Sequence, residues 1–212
     1  MTTPPVELAS LLCSRLCHDL LSPVGALNNG LELLADETDP EMRARCFELL
    51  TDSASASAQK LKFFRLAFGA AGGFGESVDN REPKALVEGL LADKPRIMLN
   101  WTLDEQTLPK PAVKILLNLA LIGIESLVRG GQLDIGAESG GGRAEIVVRA
   151  AGEKIAMDET IGRALTGELQ DDELSSRTAA AYMISELAAS ADGQIQVVLD
   201  DESLVMGAAL NT

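Results

Sequence analysis

The sequence has few aromatic residues, few cysteines and a single histidine. Aromatic residues make up 3% of its 212 residues, and there are three cysteines and one tryptophan. Basic residues are also scarce, since 18 of them face 32 acidic residues and leave a formal net charge of −14. Nucleic acids and anionic membrane surfaces attract basic patches, so this charge argues against both as partners.

The cysteines argue against a disulfide-bonded secreted protein, and the hydrophobic runs argue against a membrane-spanning one. The cysteine count is odd, no disulfide spacing is present, and the N-terminal residues MTTPPVE lack the basic and apolar segments of a signal peptide. We therefore expect a reducing, cytoplasmic location. The most apolar run, residues 112–128, is interrupted by Lys114, Asn118 and Glu125, so we expect a soluble protein without a membrane span.

Leucine and alanine are abundant instead, and their spacing predicts long helices at the N-terminus. Apolar residues recur at intervals of three and four along residues 5–36, the stripe of an amphipathic helix. Asp39 is a good N-cap and Pro40 suits the first helical position, so a second helix should run from there to about Phe68. The two helices should form an antiparallel hairpin. Because such a hairpin leaves apolar surface exposed, we predict a homodimer in which two hairpins make a four-helix bundle.

The glycine-rich residues 69–75 predict a hinge between a hairpin domain, 1–72, and a second domain, 73–212. The second domain alternates strand and helix patterns. The predicted strands are 96–103, 132–137, 144–150, 194–199 and 204–210, with a turn at 138–143, and the predicted helices are 110–129, 159–166 and 173–191. The fold class is therefore α+β, with a helical hairpin followed by an α/β sandwich.

The single histidine, His18, lies inside the first predicted helix, in the stretch LCHDLLSPVG. Two residues subtend about 200° on a helix, so His18 points away from the apolar stripe that contains Leu16 and Leu20. Its own face is small or polar and would let a bulky partner approach. The residues of this face are Ser14, Ser22, Gly25 and Asn29. Pro23 should kink the helix beside the histidine.

An exposed imidazole in this setting suits nucleophilic chemistry. The usual pKa of histidine is about 6.5, so much of it is neutral near pH 7, and a phosphohistidine N–P bond is labile enough to pass its phosphoryl group on. The alternative is an incidental surface histidine, which the clear face, the proline and the adjacent Asp19 argue against. A metal site needs different geometry, because Cys13 and Cys17 share a face that lies about 100° from His18. We expect these cysteines to be buried small hydrophobic side chains.

The stretch HDLLSPVGAL, residues 18–27, resembles the phospho-accepting box of two-component histidine kinases. That family places the box on the first helix of a dimeric helical hairpin, followed by a GHKL-type ATP-binding α/β domain. The predicted layout resembles this arrangement over nearly the whole chain.

The region corresponding to the ATP site departs from the kinase pattern. Where active kinases have two asparagines four residues apart, this chain has Asn118 and Ile122. Their Asp-x-Gly-x-Gly pattern corresponds to AAGEK, with Ala150 in place of the acid and Lys154 in place of the second glycine. Their glycine-rich loop corresponds to residues 174–181, which contain no glycine. Phosphates are usually held by backbone N–H groups in glycine-permitted conformations, so we expect a domain that keeps the fold and does not bind ATP.

A reactive histidine beside a degenerate ATPase-like domain resembles the dimeric histidine phosphotransferases of the ChpT type, which belong to cell-cycle regulation. The resemblance implies a multistep phosphorelay. A receiver domain of a hybrid histidine kinase (CckA-like) would phosphorylate His18, which would pass the phosphoryl group to the aspartate of a response regulator (CtrA-like or CpdR-like). Mg²⁺ would be bound by the receiver, and this chain would bind no cofactor or metal. Asp19 would either orient the imidazole or remain solvated.

The receiver should dock on the clear face of the first helix and the facing first half of the second. The expected docking residues are Ser22, Ala26, Asn29, Gly30, Arg45, Glu48, Leu49 and Asp52. Two alternative functions stay open, a divergent ATP-dependent histidine kinase core and a non-catalytic module that binds a regulator.

Overall fold

The N-terminal part of the protein is a helical hairpin, as predicted. The computed structural model describes residues 4–69, 76–103 and 105–211. Helix α1 spans Pro5–Asp36 and helix α2 spans Pro40–Ala67. The Asp39 carboxylate accepts hydrogen bonds from the backbone N–H groups of Glu41 and Met42, so it caps α2. No helix in these residues is long and apolar enough to cross a membrane.

The C-terminal part is an α/β sandwich, which confirms the predicted fold class. Its elements are β1 (Ser77–Asp79), α3 (Arg81–Leu91), β2 (Ile97–Leu103), β3 (Thr107–Pro109), α4 (Lys110–Ser126), β4 (Gly131–Gly140), β5 (Arg143–Ala151), α5 (Glu159–Thr166), a 3₁₀ turn (Asp171–Glu173), α6 (Ala179–Ser190), β6 (Gln194–Leu199) and β7 (Ser203–Asn211). Elements β1, α3 and β3 were not predicted. Helix α6 begins six residues later than the predicted 173 because the 3₁₀ turn and its connection precede it.

The five long strands form one mixed sheet in the order β2-β4-β5-β7-β6. Strands β2 and β4 are parallel, and the other neighbouring pairs are antiparallel. The predicted turn at 138–143 is shorter, because β4 and β5 stay paired as far as Gly140 and Arg143. Only Gly141 and Gly142 make the turn, with φ of +60° and +79°. Burial alternates along β5, so one face of the sheet packs against the helices.

The end of the hairpin is anchored in the core of the α/β part. Phe63 and Phe64 of α2 are buried in the same cluster as the inner side chains of α4 and the sheet, and Leu16 and Leu20 of α1 pack against it. The boundary at 72/73 and residues 70–75 of the predicted hinge, 69–75, lie outside the described part of the chain.

Candidate functional site

His18 projects from α1 on an open face of the hairpin. Its side chain is 84% exposed. Ser14, Ser22 and Asn29, which share its face, are exposed as well. A Cβ placed on Gly25 would have no atom within 4 Å. The structure therefore confirms the predicted uncrowded surface around the imidazole.

Asp19 contacts the imidazole, and both its carboxylate and its backbone carbonyl accept hydrogen bonds from basic side chains. Its Oδ1 lies 3.3 Å from Nδ1 of His18, and its Oδ2 accepts a hydrogen bond of 2.8 Å from Nε of Arg15. The Asp19 side chain is only 19% exposed, and its backbone carbonyl accepts from Nζ of Lys60 at 2.9 Å. A carboxylate can only accept, so this contact is a hydrogen bond in the tautomer that carries the proton on Nδ1 and the lone pair on Nε2.

Arg15 connects this pair to the α/β part of the protein. Its Nη2 donates a hydrogen bond of 2.6 Å to Oε1 of Glu125 on α4. Burial raises the pKa of the Glu125 carboxyl, and nearby Asp19 adds to this effect. The positive charges of Arg15, Lys60 and Lys94 lower the pKa but do not cancel the rise.

A cavity of about 420 Å³ lies beside these residues, between α2, α3 and α4. Its walls carry charges of both signs, including Asp19, Asp52, Lys60, Lys94 and Glu125. No group of three or more His, Cys, Asp or Glu side chains suited to holding a metal ion occurs in the described residues.

Most of the expected docking residues lie on the surface of the hairpin. Ala26 is half-buried, and the exposed ones are Ser22, Asn29, Arg45, Glu48, Leu49 and Asp52. Gly30 was expected on the docking surface, and this expectation is wrong. It is buried against α2, and a Cβ there would lie 3.0 Å from Cδ2 of Leu50. Gly30 therefore permits helix packing inside the hairpin and is not part of its surface.

The expectation of buried cysteines is wrong for two of the three in the single chain. Cys46 is buried, whereas Cys13 and Cys17 are exposed. Both lie on a side of α1 that also exposes Leu21 and Val24, with 68% and 43% of their surfaces accessible. The cysteines therefore belong to an apolar strip that the single chain leaves uncovered.

Two of the positions that correspond to the kinase ATP site are built into the core. Asn118 is buried, and its Nδ2 donates to the carbonyl oxygens of Ala67 and Lys114. It therefore joins α4 to the end of the hairpin. Ala150 is fully buried in β5. Ile122 is half-buried, and Lys154 is exposed in the loop after β5.

The segment that corresponds to the glycine-rich kinase loop is closed by its own hydrogen bonds. The buried Thr178 hydroxyl accepts from the Ser175 backbone N–H at 2.9 Å and lies 3.1 Å from the carbonyl oxygen of Glu173. Glu173 pairs with Arg163. These bonds fix the conformation of the segment immediately before α6.

The sequence predicted His18 and Asp19 and missed their supporting partners. Arg15 precedes Asp19 by four residues on one helix, a spacing typical of an ion pair, so a local signal for it existed. Glu125 and Lys60 are brought to the site by folding, and nothing near them in the sequence marks them. Glu125 is 110 residues from Arg15.

Comparisons with known proteins concern the family and the fold of the chain. A model of the histidine phosphotransferase C-terminal domain matches residues 80–203. The chain is 32% identical over 209 residues to protein phosphotransferase ChpT of Brucella abortus (strain 2308), covering 98% of each chain. A bacterial phosphotransferase of known structure matches with a TM-score of 0.85 at 31% identity and 98% coverage of both chains. The histidine kinase domain of the blue-light-activated kinase of Erythrobacter litoralis EL346 shares the fold, with a TM-score of 0.50, 9% identity and coverage of 90% of this chain and 94% of that one.

Proposed function

The chain belongs to the histidine phosphotransferase family, and we propose that His18 accepts the phosphoryl group that it transfers. The observation that carries this proposal is the position of the only histidine in the chain. It is 84% exposed on a face of small side chains, and its Nδ1 is within reach of a carboxylate.

The proposed reaction is a reversible transfer between nitrogen and oxygen. Nε2 of neutral His18 attacks the phosphorus of a phospho-aspartate on a receiver domain. The N–P bond forms, the acyl P–O bond breaks, and its electron pair returns to the receiver's carboxylate. A second receiver takes the phosphoryl group by the reverse steps, so no water or nucleotide is consumed.

Asp19 is proposed to hold the imidazole in the reactive tautomer. Accepting the proton on Nδ1 keeps the lone pair on Nε2, and the carboxylate also balances the positive charge that the ring gains on attack. The limited exposure of Asp19 and its ion pair with Arg15 support this role over that of a freely solvated acid.

The partners are proposed to be a receiver of a hybrid histidine kinase (CckA-like) as donor and response regulators (CtrA-like or CpdR-like) as acceptors. The receiver would dock on the exposed residues beside His18, with Mg²⁺ held in its own acidic pocket. The open surface at Ser22, Gly25 and Asn29 supports this, because a folded domain must come within bonding distance of Nε2.

The assembly is proposed to be a homodimer built on the hairpin. An apolar strip runs along the exposed side of α1 at helical spacing, and its members are Val6, Cys13, Cys17, Leu21, Val24 and Leu31. On α2, Phe47 and Leu61 are 52% and 55% exposed. A second hairpin would cover these side chains in a four-helix bundle and bury Cys13 and Cys17.

ATP is proposed not to bind the α/β domain. The methyl group of Ala150 fills the place of the adenine-binding acid of kinases, and the hydrogen-bonded turn around Thr178 replaces their glycine-rich loop. The domain would then act as a scaffold for the hairpin.

A phosphotransfer time course tests the proposal. Radiolabelled phosphate on a receiver domain should move to the wild-type chain and should not move to His18→Ala. Glu153→Ala is the control, because it removes an exposed glutamate of the α/β domain that pairs with Arg129, and it should still accept phosphate. Because His18 is exposed, the free energy of unfolding of His18→Ala should lie within about 0.5 kcal/mol of the wild-type value.

The two alternative functions predict different labelling of His18. A divergent kinase would incorporate label at His18 from ATP and Mg²⁺ with no receiver present. A binding module would bind the receiver equally well with or without His18 and carry no label. Either result would refute the relay.

A further inference from the structure

One edge of the Arg15 guanidinium is shared between two carboxylates. Nε and Nη2 lie side by side on an arginine and commonly form a two-pronged pair with a single carboxylate. Here Nε donates to Oδ2 of Asp19 at 2.8 Å, while Nη2 donates to Oε1 of Glu125 at 2.6 Å. Asp19 therefore accepts only one of these two hydrogen bonds, and its Oδ1 remains available to His18 at 3.3 Å.

Removing Glu125 would change this division. With Nη2 released, the same edge of Arg15 can turn onto Asp19 and engage both carboxylate oxygens. Oδ1 would then bond to the guanidinium in place of the imidazole. Neutral His18 without that acceptor is free to carry its proton on Nε2, which removes the lone pair needed for attack.

We propose that Glu125 is a positioning residue for phosphoryl transfer, because its hold on Nη2 of Arg15 keeps Asp19 directed at Nδ1 of His18. The proposal rests on the proposed function in so far as His18 is the phosphoryl acceptor. It gives the α/β domain a part in the chemistry that does not involve ATP.

The surroundings of the chain of contacts suit this role. The side chains of Arg15 and Asp19 are 16% and 19% exposed, so water competes little for the hydrogen bond between them, whereas the Glu125 side chain is 47% exposed. Glu125 follows the buried Ile124 on α4, which fixes its position relative to the sheet. Lys60 binds the backbone carbonyl of Asp19 and leaves the carboxylate to Arg15 and His18.

The single histidine makes the proposal measurable without ambiguity. Nitrogen-15 NMR of the His18 ring, at a pH where the ring is neutral, reports which nitrogen carries the proton. Phosphoramidate, a small phosphoryl donor that needs no docking surface, gives the rate at which His18 is phosphorylated. Both are measured on the chain with its hairpin and α/β domain together, followed by the rate with a phosphorylated receiver.

Three variants separate positioning from other effects. Glu125→Ala removes the acceptor for Arg15, whereas Glu125→Gln keeps a carbonyl oxygen there. Glu153→Ala is the control, because it deletes an exposed glutamate that pairs with Arg129 at 3.0 Å elsewhere on the same domain. Circular dichroism establishes that each variant is folded.

Glu125→Ala should shift the ring toward the Nε2–H tautomer and slow phosphorylation about tenfold with phosphoramidate and with the receiver alike. Glu125→Gln should retain most of the wild-type rate, and Glu153→Ala should match the wild type. Three results would overturn the proposal: an unchanged tautomer in Glu125→Ala, a rate loss seen only with the receiver, or equal losses in the Ala and Gln variants.

Failure of the proposed function gives a different pattern. If no receiver transfers phosphate to the chain, the relay is refuted, while the tautomer and the phosphoramidate rate still decide whether Glu125 positions Asp19.

Discussion

Restoring the kinase acid at position 150 should damage the fold and should not create an ATP site. The Ala150 side chain is fully buried, and its paired residues on the neighbouring strands, Leu133 and Leu204, are buried too. Helix α4 lies close above it, since a Cβ on Gly123 would be 3.8 Å from the Ala150 Cβ. A carboxyl group at this position is surrounded by apolar side chains. Ala150→Asp therefore buries a carboxyl group with no neighbouring side chain that can donate a hydrogen bond to it.

The size of the loss follows from the protonation state of the new carboxyl group. An unpaired buried charge costs about 3–5 kcal/mol, and a neutral buried polar group without a partner costs about 1–3 kcal/mol. Burial raises the pKa of the new carboxyl above the unfolded value of about 3.9. Between these two pKa values the folded state holds a proton that the unfolded state has lost. Stability therefore falls as pH rises, by up to about 1.4 kcal/mol per unit, and levels off above the folded pKa.

Urea unfolding of Ala150→Asp and Ala150→Asn between pH 5 and pH 8 measures this loss. Asparagine has nearly the same size as aspartate and no charge, so its loss should not depend on pH, whereas the loss of the aspartate variant should grow with pH. A fluorescent ATP analogue with Mg²⁺ should bind neither variant. An aspartate variant within about 0.5 kcal/mol of the wild type at every pH, or one that binds the analogue, would refute the reasoning.

Three further changes test the hairpin and its contact with the α/β domain. Leu21→Glu, on the exposed apolar strip of α1, should halve the mass measured by light scattering from twice 22.4 kDa. Leu33→Glu, at a position that is 62% exposed on another face of the helix, should leave the mass unchanged. A wild-type monomer would contradict the four-helix bundle. Asp39→Ala should lower the free energy of unfolding by about 1 kcal/mol, because two backbone N–H groups of α2 lose their acceptor; no change in urea unfolding would mean that this cap is dispensable. Burial raises the pKa of Glu125 above 4.5, so the folded wild type binds a proton that the unfolded chain has released, and its stability falls as pH rises through that window. Glu125→Gln should remove this slope in urea unfolding, and an unchanged slope would assign it to another group.

Most helices and most strands could be predicted because their signals are local. Periodic leucines defined α1, and Asp39 with Pro40 marked the start of α2. Strands β1 and β3 were missed because three residues are too few to show a period. Residues 138–143 were predicted as one turn, yet pairing with β5 extends β4 through Gly140. Backbone hydrogen bonds between strands decided that boundary, and no single segment contains them.

The candidate site divides in the same way. His18 and Asp19 could be found because the bare face and the adjacent acid occupy one helix. Gly30 and the two exposed cysteines were assigned wrongly, because burial depends on what lies opposite a residue. For Gly30 that neighbour is Leu50 of α2, and for Cys13 and Cys17 the single chain has none.

The sequence by itself determined the hairpin, the exposed imidazole and the departures from the kinase ATP motifs. These depend on residue type and on spacings of a few positions, which helical and strand geometry convert directly into faces. Tertiary structure alone decided that Glu125, on a helix of the other domain, accepts a hydrogen bond from Arg15, which also donates to Asp19. Such contacts join residues far apart in the chain, and they exist only after the core beneath α4 has packed against the end of α2.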